Sequence, residues 1–134
     1  MDCGAYFDSV RVRKTAKRHA INSDASYRYE RGVDPNATID AHAYAVALLC
    51  ELTGGTASAR DNKGQQEFPR VEIAFSQSKV LKLIGVELDA AKITQILELL
   101  DFEIKSVEDD FWTVSVPSYR VDVTRDVDVA EELL

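Results

Sequence analysis

From Thr56 to Pro69 the sequence is polar, with Asn62, Gly64 and two glutamines, and it shows no helical stripe. The hydrophobic rhythm differs on its two sides. Before it, apolar residues recur every three to four positions; after it they first alternate. A chain that changes period across a polar connection is neither one helical bundle nor one sheet. The expected organisation is a helical region over 1–55, a connection over 56–69 that admits a short strand at its start, and a mixed region over 70–134.

The first region reads as three helices. Val10 to Arg18 is a short basic stretch. Ser23 is an N-cap, Asp24 favours the positive helix start, and Gly32 is a natural stop. Asp34 then caps a third helix with Pro35 in its first position, running to the Gly54-Gly55 pair. Ile39, Ala43, Val46, Ala47 and Cys50, with Leu49 beside them, are its expected buried stripe. Cys50 on that stripe reads as a small hydrophobe.

The second region has the order strand, helix, helix, hairpin. Val71, Ile73 and Phe75 alternate with Glu72 and Ala74. Ser76 caps a helix carrying Val80, Leu81, Leu83 and Ile84, stopped by Gly85. Asp89 caps another, carrying Ile93, Ile96, Leu97 and Leu100. Phe102, Ile104 and Val107 predict a strand, Glu108-Asp109-Asp110 a turn, and Trp112, Val114 and Val116 one face of its partner, closed by Pro117. A last helix begins near Asp126, with Val127, Ala130, Leu133 and Leu134 as its apolar stripe. A stripe that ends with the chain fits an excised piece better than a natural terminus. The fold class is α+β: N-terminal helices followed by a small winged-helix-like domain.

Charge separates the halves further. The net charge is −7, and residues 70–134 carry seven Lys/Arg against fourteen Asp/Glu, while the rest balances. A surface of that sign repels phosphate backbones unless its cations gather on one face. Hydrophobic residues at 46% and charged residues at 29% suit a packed, ordered chain. No stretch of about 18 apolar residues is present to span a membrane, and no basic-then-apolar leader follows Met1. Cys3 and Cys50, far apart, suit a reducing compartment better than a disulfide framework.

Few residues offer chemistry. Asp128, Glu131 and Glu132 have the spacing i, i+3, i+4 and share one helical face. Asp122, in the preceding loop, can fold back over it. Mg²⁺ takes hard oxygen ligands and keeps several waters, so such a face suits it. Acidic residues also gather at helix starts merely to oppose the dipole and cap amides. His19, Ser23 and Asp24 have the residue types of a nucleophile, base and orienter but no elbow or glycine-rich context. Arg11, Arg13, Lys14, Lys17 and Arg18 are the one basic cluster, a solvated face or a surface for tRNA or an acidic protein. Arg28, Glu30 and Arg31 among Tyr27 and Tyr29 suggest a packed ion-pair network. No glycine-rich phosphate cradle is present.

Two motifs carry a family resemblance. Ser23-Asp-Ala-Ser-Tyr-Arg-Tyr-Glu-Arg-Gly-Val-Asp-Pro35 resembles a signature in the C-terminal part of the editing domain of the bacterial phenylalanine–tRNA ligase β subunit. Tyr6-Phe7 and Val10 to His19 match the region before it. Leu83-Ile-Gly85, the Ile93 to Phe102 helix end, Trp112-Thr-Val-Ser-Val-Pro-Ser-Tyr-Arg-Val-Asp122 and Asp126-Val-Asp-Val-Ala-Glu-Glu132 resemble the family's B-five domain. The matches cover nearly the whole chain and fall in the family's order.

The resemblance implies a cytoplasmic enzyme in which an α₂β₂ tetramer charges tRNA(Phe) with phenylalanine using ATP and Mg²⁺. Chemistry would lie in the α subunit, and this segment would supply scaffold plus shared ligands. It places Mg²⁺ at Asp122, Asp128, Glu131 and Glu132, in a site shared with the α subunit. ATP belongs to the whole enzyme only. Ser23, Asp24 and Ala25 would be a remnant of the editing pocket. Ser23 stands where most members have Thr, and an acidic residue of the family falls near Cys3, beside Asp2. With most of that domain missing, the expected fragment is inactive alone. The rival readings are a small winged-helix nucleic-acid-binding protein and a free-standing Mg²⁺-dependent hydrolase. DNA is disfavoured because the reader helix, Asp89 to Asp101, has one Lys against two Asp and one Glu.

Overall fold

A computed structural model describes residues 4–61, 63, 64 and 68–134. The chain divides into two compact units, one up to Phe68 and one from Pro69. Together they form an α+β structure, with helices preceding a three-stranded antiparallel sheet. The readings of Cys3 lie outside the described residues.

The first unit contains α1 (Ser9–His19), α2 (Asp24–Tyr29) and α3 (Ala37–Thr53). Asp8 caps α1 by accepting from the Arg11 amide at 2.8 Å. Ser23 caps α2 and forms a reciprocal box with Ser26. The start of α3 departs from the sequence reading. Asp34 and Pro35 precede the helix, and Asn36 is its cap residue, without a side-chain cap bond. The Asp34 carboxylate accepts from the Asn36 amide at 2.9 Å, a local turn that keeps it from the helix amides. The Asn36 side chain is committed elsewhere, pairing with the backbone N–H and C=O of Phe68 at 3.1 and 3.0 Å. Gly54 ends α3 in the left-handed conformation. Among the described residues of 56–69 there is no strand.

The expected buried stripe of α3 is not buried. No residue of α1, α2 or α3 is buried, and Ala43, Ala47 and Leu49 are exposed, while Ile39, Val46 and Cys50 are half-buried. The unit has no sheet or second layer to receive that face. Ring contacts hold it instead: Tyr6 against Phe68 and Phe7 against Tyr29, both edge-on. The expected packed network around Arg31 lies at the surface. Arg31 stacks on the Tyr27 ring at 3.4 Å and meets its neighbour Glu30 at 3.4 Å.

The second unit follows the order β1 (Glu72–Ser76), α4 (Gln77–Ile84), α5 (Ala90–Leu99), β2 (Glu103–Glu108), β3 (Phe111–Ser115), α6 (Asp126–Glu132). The sheet order is β1-β3-β2, so β3 carries both ladders. The register pairs Ile73 with Val114 and Phe75 with Trp112 on one side. On the other, Ile104 pairs with Val114 and Val107 with Trp112, with a bulge at Lys105 between. The bulge reconciles the odd spacing from Ile104 to Val107 with one face of the sheet.

That face is the core. Trp112, Val114 and Val116 pack with Ile73, Phe75, Val80, Ile93, Leu97, Phe102, Val123, Val129, Ala130 and Leu133. In α6 the buried residues are Val129, Ala130 and Leu133, whereas Val127 and Leu134 are exposed. The expected stripe is thus shifted, because α6 meets α4 and β1 with the face centred on Val129.

Asp110, at the hairpin turn, reaches back to the start of α4. Its carboxylate accepts from the Ser78 amide at 2.7 Å, the Ser78 hydroxyl at 2.8 Å and the Ser76 hydroxyl. The Trp112 indole donates to Gln77 Oε1 at 3.1 Å. The helix start and the hairpin are thereby pinned together, satisfying amides that α4 cannot satisfy itself.

Leu97 is fully buried and Leu99, on the same helix, is exposed. Leu97→Ala is therefore expected to destabilise the second unit by about 2–5 kcal/mol, and Leu99→Ala by less than about 0.5 kcal/mol. Urea unfolding followed by the fluorescence of Trp112, the one tryptophan of the chain, measures both.

Candidate functional site

The acidic segment from Asp122 to Glu132 is assembled by Arg120. Its guanidinium donates from Nε to Asp122 Oδ1 at 3.0 Å and from Nη2 to Asp122 Oδ2 at 2.8 Å. It also forks onto Glu132, from Nη1 to Oε2 at 2.7 Å and from Nη2 to Oε1. Asp122 therefore does fold back toward α6, and the group that joins them is an arginine. Arg120 and Glu132 are largely buried, their side chains 23% and 16% exposed, while Asp122 is open to water. Bidentate pairs of this kind are the stronger class of ionic hydrogen bond. They hold the Arg120 guanidinium well above its ordinary pKa, through Glu132 first and Asp122 second. The same bond to Arg120 holds the Asp122 carboxyl below the usual carboxylate range.

Asp128 sits in the first turn of α6. It accepts from the Thr124 and Arg125 amides, both at 2.9 Å, and pairs with the Arg125 guanidinium at 3.0 Å. These bonds, the Arg125 side chain first, hold its carboxyl well below the ordinary value. Glu131 lies one turn on and is exposed. Asp128, Glu131 and Glu132 do share the helix, as their spacing requires.

The ligand chemistry suits a divalent cation, but the arrangement does not present a shell for one. Among the described residues no three His, Cys, Asp or Glu are grouped to hold a metal ion. Asp122 and Glu132 face one guanidinium, and Asp128 is turned to the helix amides. Arg120 was the residue that spacing arguments passed over. Its only sequence signal was a lone cation among fourteen acids in this half.

Ser23, Asp24 and Ala25 lie at the start of α2. They border an open hollow of about 550 Å³ lined also by Arg13, Lys17, Tyr27 and Glu30. The Ser23 hydroxyl is engaged with Ser26, from whose amide it accepts at 3.1 Å. It forms no bond to His19, so the trio is not assembled as a nucleophile and base. Arg11, Arg13, Lys14, Lys17 and Arg18 are all exposed on α1. In the second unit, the sole cation of α5, Lys92, donates to Gln95 at 3.0 Å. No helix is long and apolar enough to cross a membrane among the described residues.

Comparison with known proteins agrees with both motifs. A family model described as the tRNA synthetase B5 domain matches residues 73–134, and one described as the B3/4 domain matches residues 3–54. A phenylalanine–tRNA ligase beta subunit of Bacteroides thetaiotaomicron is 42% identical over 131 residues, 97% of this chain. The chain belongs to the phenylalanine–tRNA ligase β-subunit family. The beta subunit of Chlorobium chlorochromatii is 38% identical and that of Pseudomonas putida 34%, each over 96% of the chain. The chain spans 16% of the length of these relatives. It joins two regions that the β-subunit family carries in this order.

The acidic segment makes stability depend on pH. Asp122 and Asp128 have depressed folded pKa values, so their contribution is present at neutral pH. It is lost progressively as pH falls below about 5, toward the folded pKa values. Asp128→Asn is expected to lower the urea midpoint at pH 7 and to flatten the acid-side decline between pH 5 and 3. Parallel wild-type and variant curves would contradict this.

Proposed function

We propose that the chain is part of a longer phenylalanine–tRNA ligase β subunit, where it serves as scaffold and interaction surface. The residues up to 55 would be the C-terminal portion of the editing domain, 56–69 the connection, and 70–134 the B-five domain. The whole enzyme would be a cytoplasmic α₂β₂ tetramer that charges tRNA(Phe) with phenylalanine, using ATP and Mg²⁺. One observation carries this reading: helices of a β-subunit chain leave their apolar side chains uncovered. Tyr44, Leu48, Leu49 and Leu52 of α3 are exposed, within a chain only 16% as long as its relatives. Surfaces of that kind are covered by further protein.

No chemistry is assigned to the chain alone. The Ser23-Asp24-Ala25 hollow is open, and the Ser23 hydroxyl is a cap. The isolated chain is therefore expected to release no tyrosine from mischarged Tyr-tRNA(Phe) above the uncatalysed rate. Turnover would revive the hydrolase reading.

The α subunit is the proposed partner of the acidic segment. Asp122, Asp128, Glu131 and Glu132 are the proposed Mg²⁺ ligands of the assembled enzyme, and ligand atoms from the α subunit would have to complete the shell. In the complete β subunit, joint replacement of Asp128, Glu131 and Glu132 by Ala is expected to weaken co-elution with the α subunit in gel filtration. Aminoacylation should fall at least tenfold. Unchanged assembly and charging would remove the shared-site role.

A further inference from the structure

The arginine fork on Asp122 and Glu132 occupies the same oxygens that a divalent cation would need. We infer that Arg120 is an internal cation that competes with a divalent metal ion for these two carboxylates. This rests on the proposed metal role of the acidic segment and adds a gate to it. The geometry supports the competition. Three guanidinium nitrogens of Arg120 reach all four carboxylate oxygens of Asp122 and Glu132. Neither carboxylate can turn to a metal ion without giving up part of that fork. The pair is also largely shielded on the Glu132 side, where breaking it exposes an unpaired charge. Asp128 lies close enough to act on Asp122 as a like charge. Removing Arg120 would leave five carboxylates between positions 122 and 132 with Arg125 as the one remaining cation of that stretch. Such a cluster draws a divalent ion to relieve its repulsion. The segment is thus closed around its own arginine until a partner gives Arg120 another acceptor or supplies the missing ligands.

The test uses the full 134-residue chain and Mn²⁺ as probe, with free Mn²⁺ read by electron paramagnetic resonance. Wild type, Arg120→Gln, and Arg120→Gln combined with Asp128, Glu131 and Glu132 to Ala are titrated in parallel, with Mg²⁺ as competitor. Arg120→Gln is expected to bind one Mn²⁺ at least tenfold more tightly than wild type. The gain should vanish in the combined variant. Equal affinity in wild type and Arg120→Gln, lost when the carboxylates are removed, would overturn the gate and leave the metal role standing. No saturable binding by Arg120→Gln would overturn both. If that variant fails to fold, the wild-type chain decides through the NMR signal of Arg120 Nε–H. Mg²⁺ added to saturation should raise its exchange with water as the fork opens. An unchanged signal at saturation would overturn the gate.

Discussion

The inward face of one strand sets the architecture of the second unit. β3 lies between β1 and β2, so Trp112 and Val114 must satisfy two ladders and one core at once. A one-residue slip would turn all of that face to water, so the register is strongly specified. The bulge at Lys105 lets β2 keep Ile104 and Val107 on the same side despite their odd spacing. Helices α4, α5 and α6 then cover the face with Val80, Ile93, Leu97 and Val129. Asp110 fixes where α4 starts, because its carboxylate takes the helix's first donors. The Asp110 carboxyl is held below its usual range by Ser76 first and Ser78 next.

No such face exists in the first unit. Its helices have caps and stops, but a helix gains most of its stability from burying an apolar side. Here that side is half-covered at best. Aromatic edges and the Asn36 pairing with Phe68 hold the pieces where a core would otherwise do so. This asymmetry separates the two units energetically, and it gives the apolar surface of α3 a purpose only in a larger protein.

Electrostatics connects the second unit to function. Its excess of acid is not a diffuse surface charge. It is concentrated after Pro117 and partly neutralised from within by Arg120 and Arg125. A cluster arranged in this way is poor for binding a phosphate backbone. It is better matched to a cationic group or metal ion brought by a partner, and Arg120 sets how readily the carboxylates are released.

Local rules determined much of this chain. Ser23, Ser76 and Asp89 cap helices because their side chains reach an amide three residues on, and Gly54 and Gly85 end helices because they tolerate positive φ. Alternation placed Ile73, Phe75, Trp112 and Val114 in the core, and two motifs placed the chain in its family. The tertiary structure decided what depends on residues distant in sequence. Asn36 abandons capping for Phe68, 32 residues away, and Asp110 reaches Ser78, also 32 residues away. Val129 replaces Val127 as the buried residue of α6 because α4 and β1 select the helix face. Four acids at metal-like spacing became partners of two arginines, since spacing places side chains on a face but does not say which cation will meet them there.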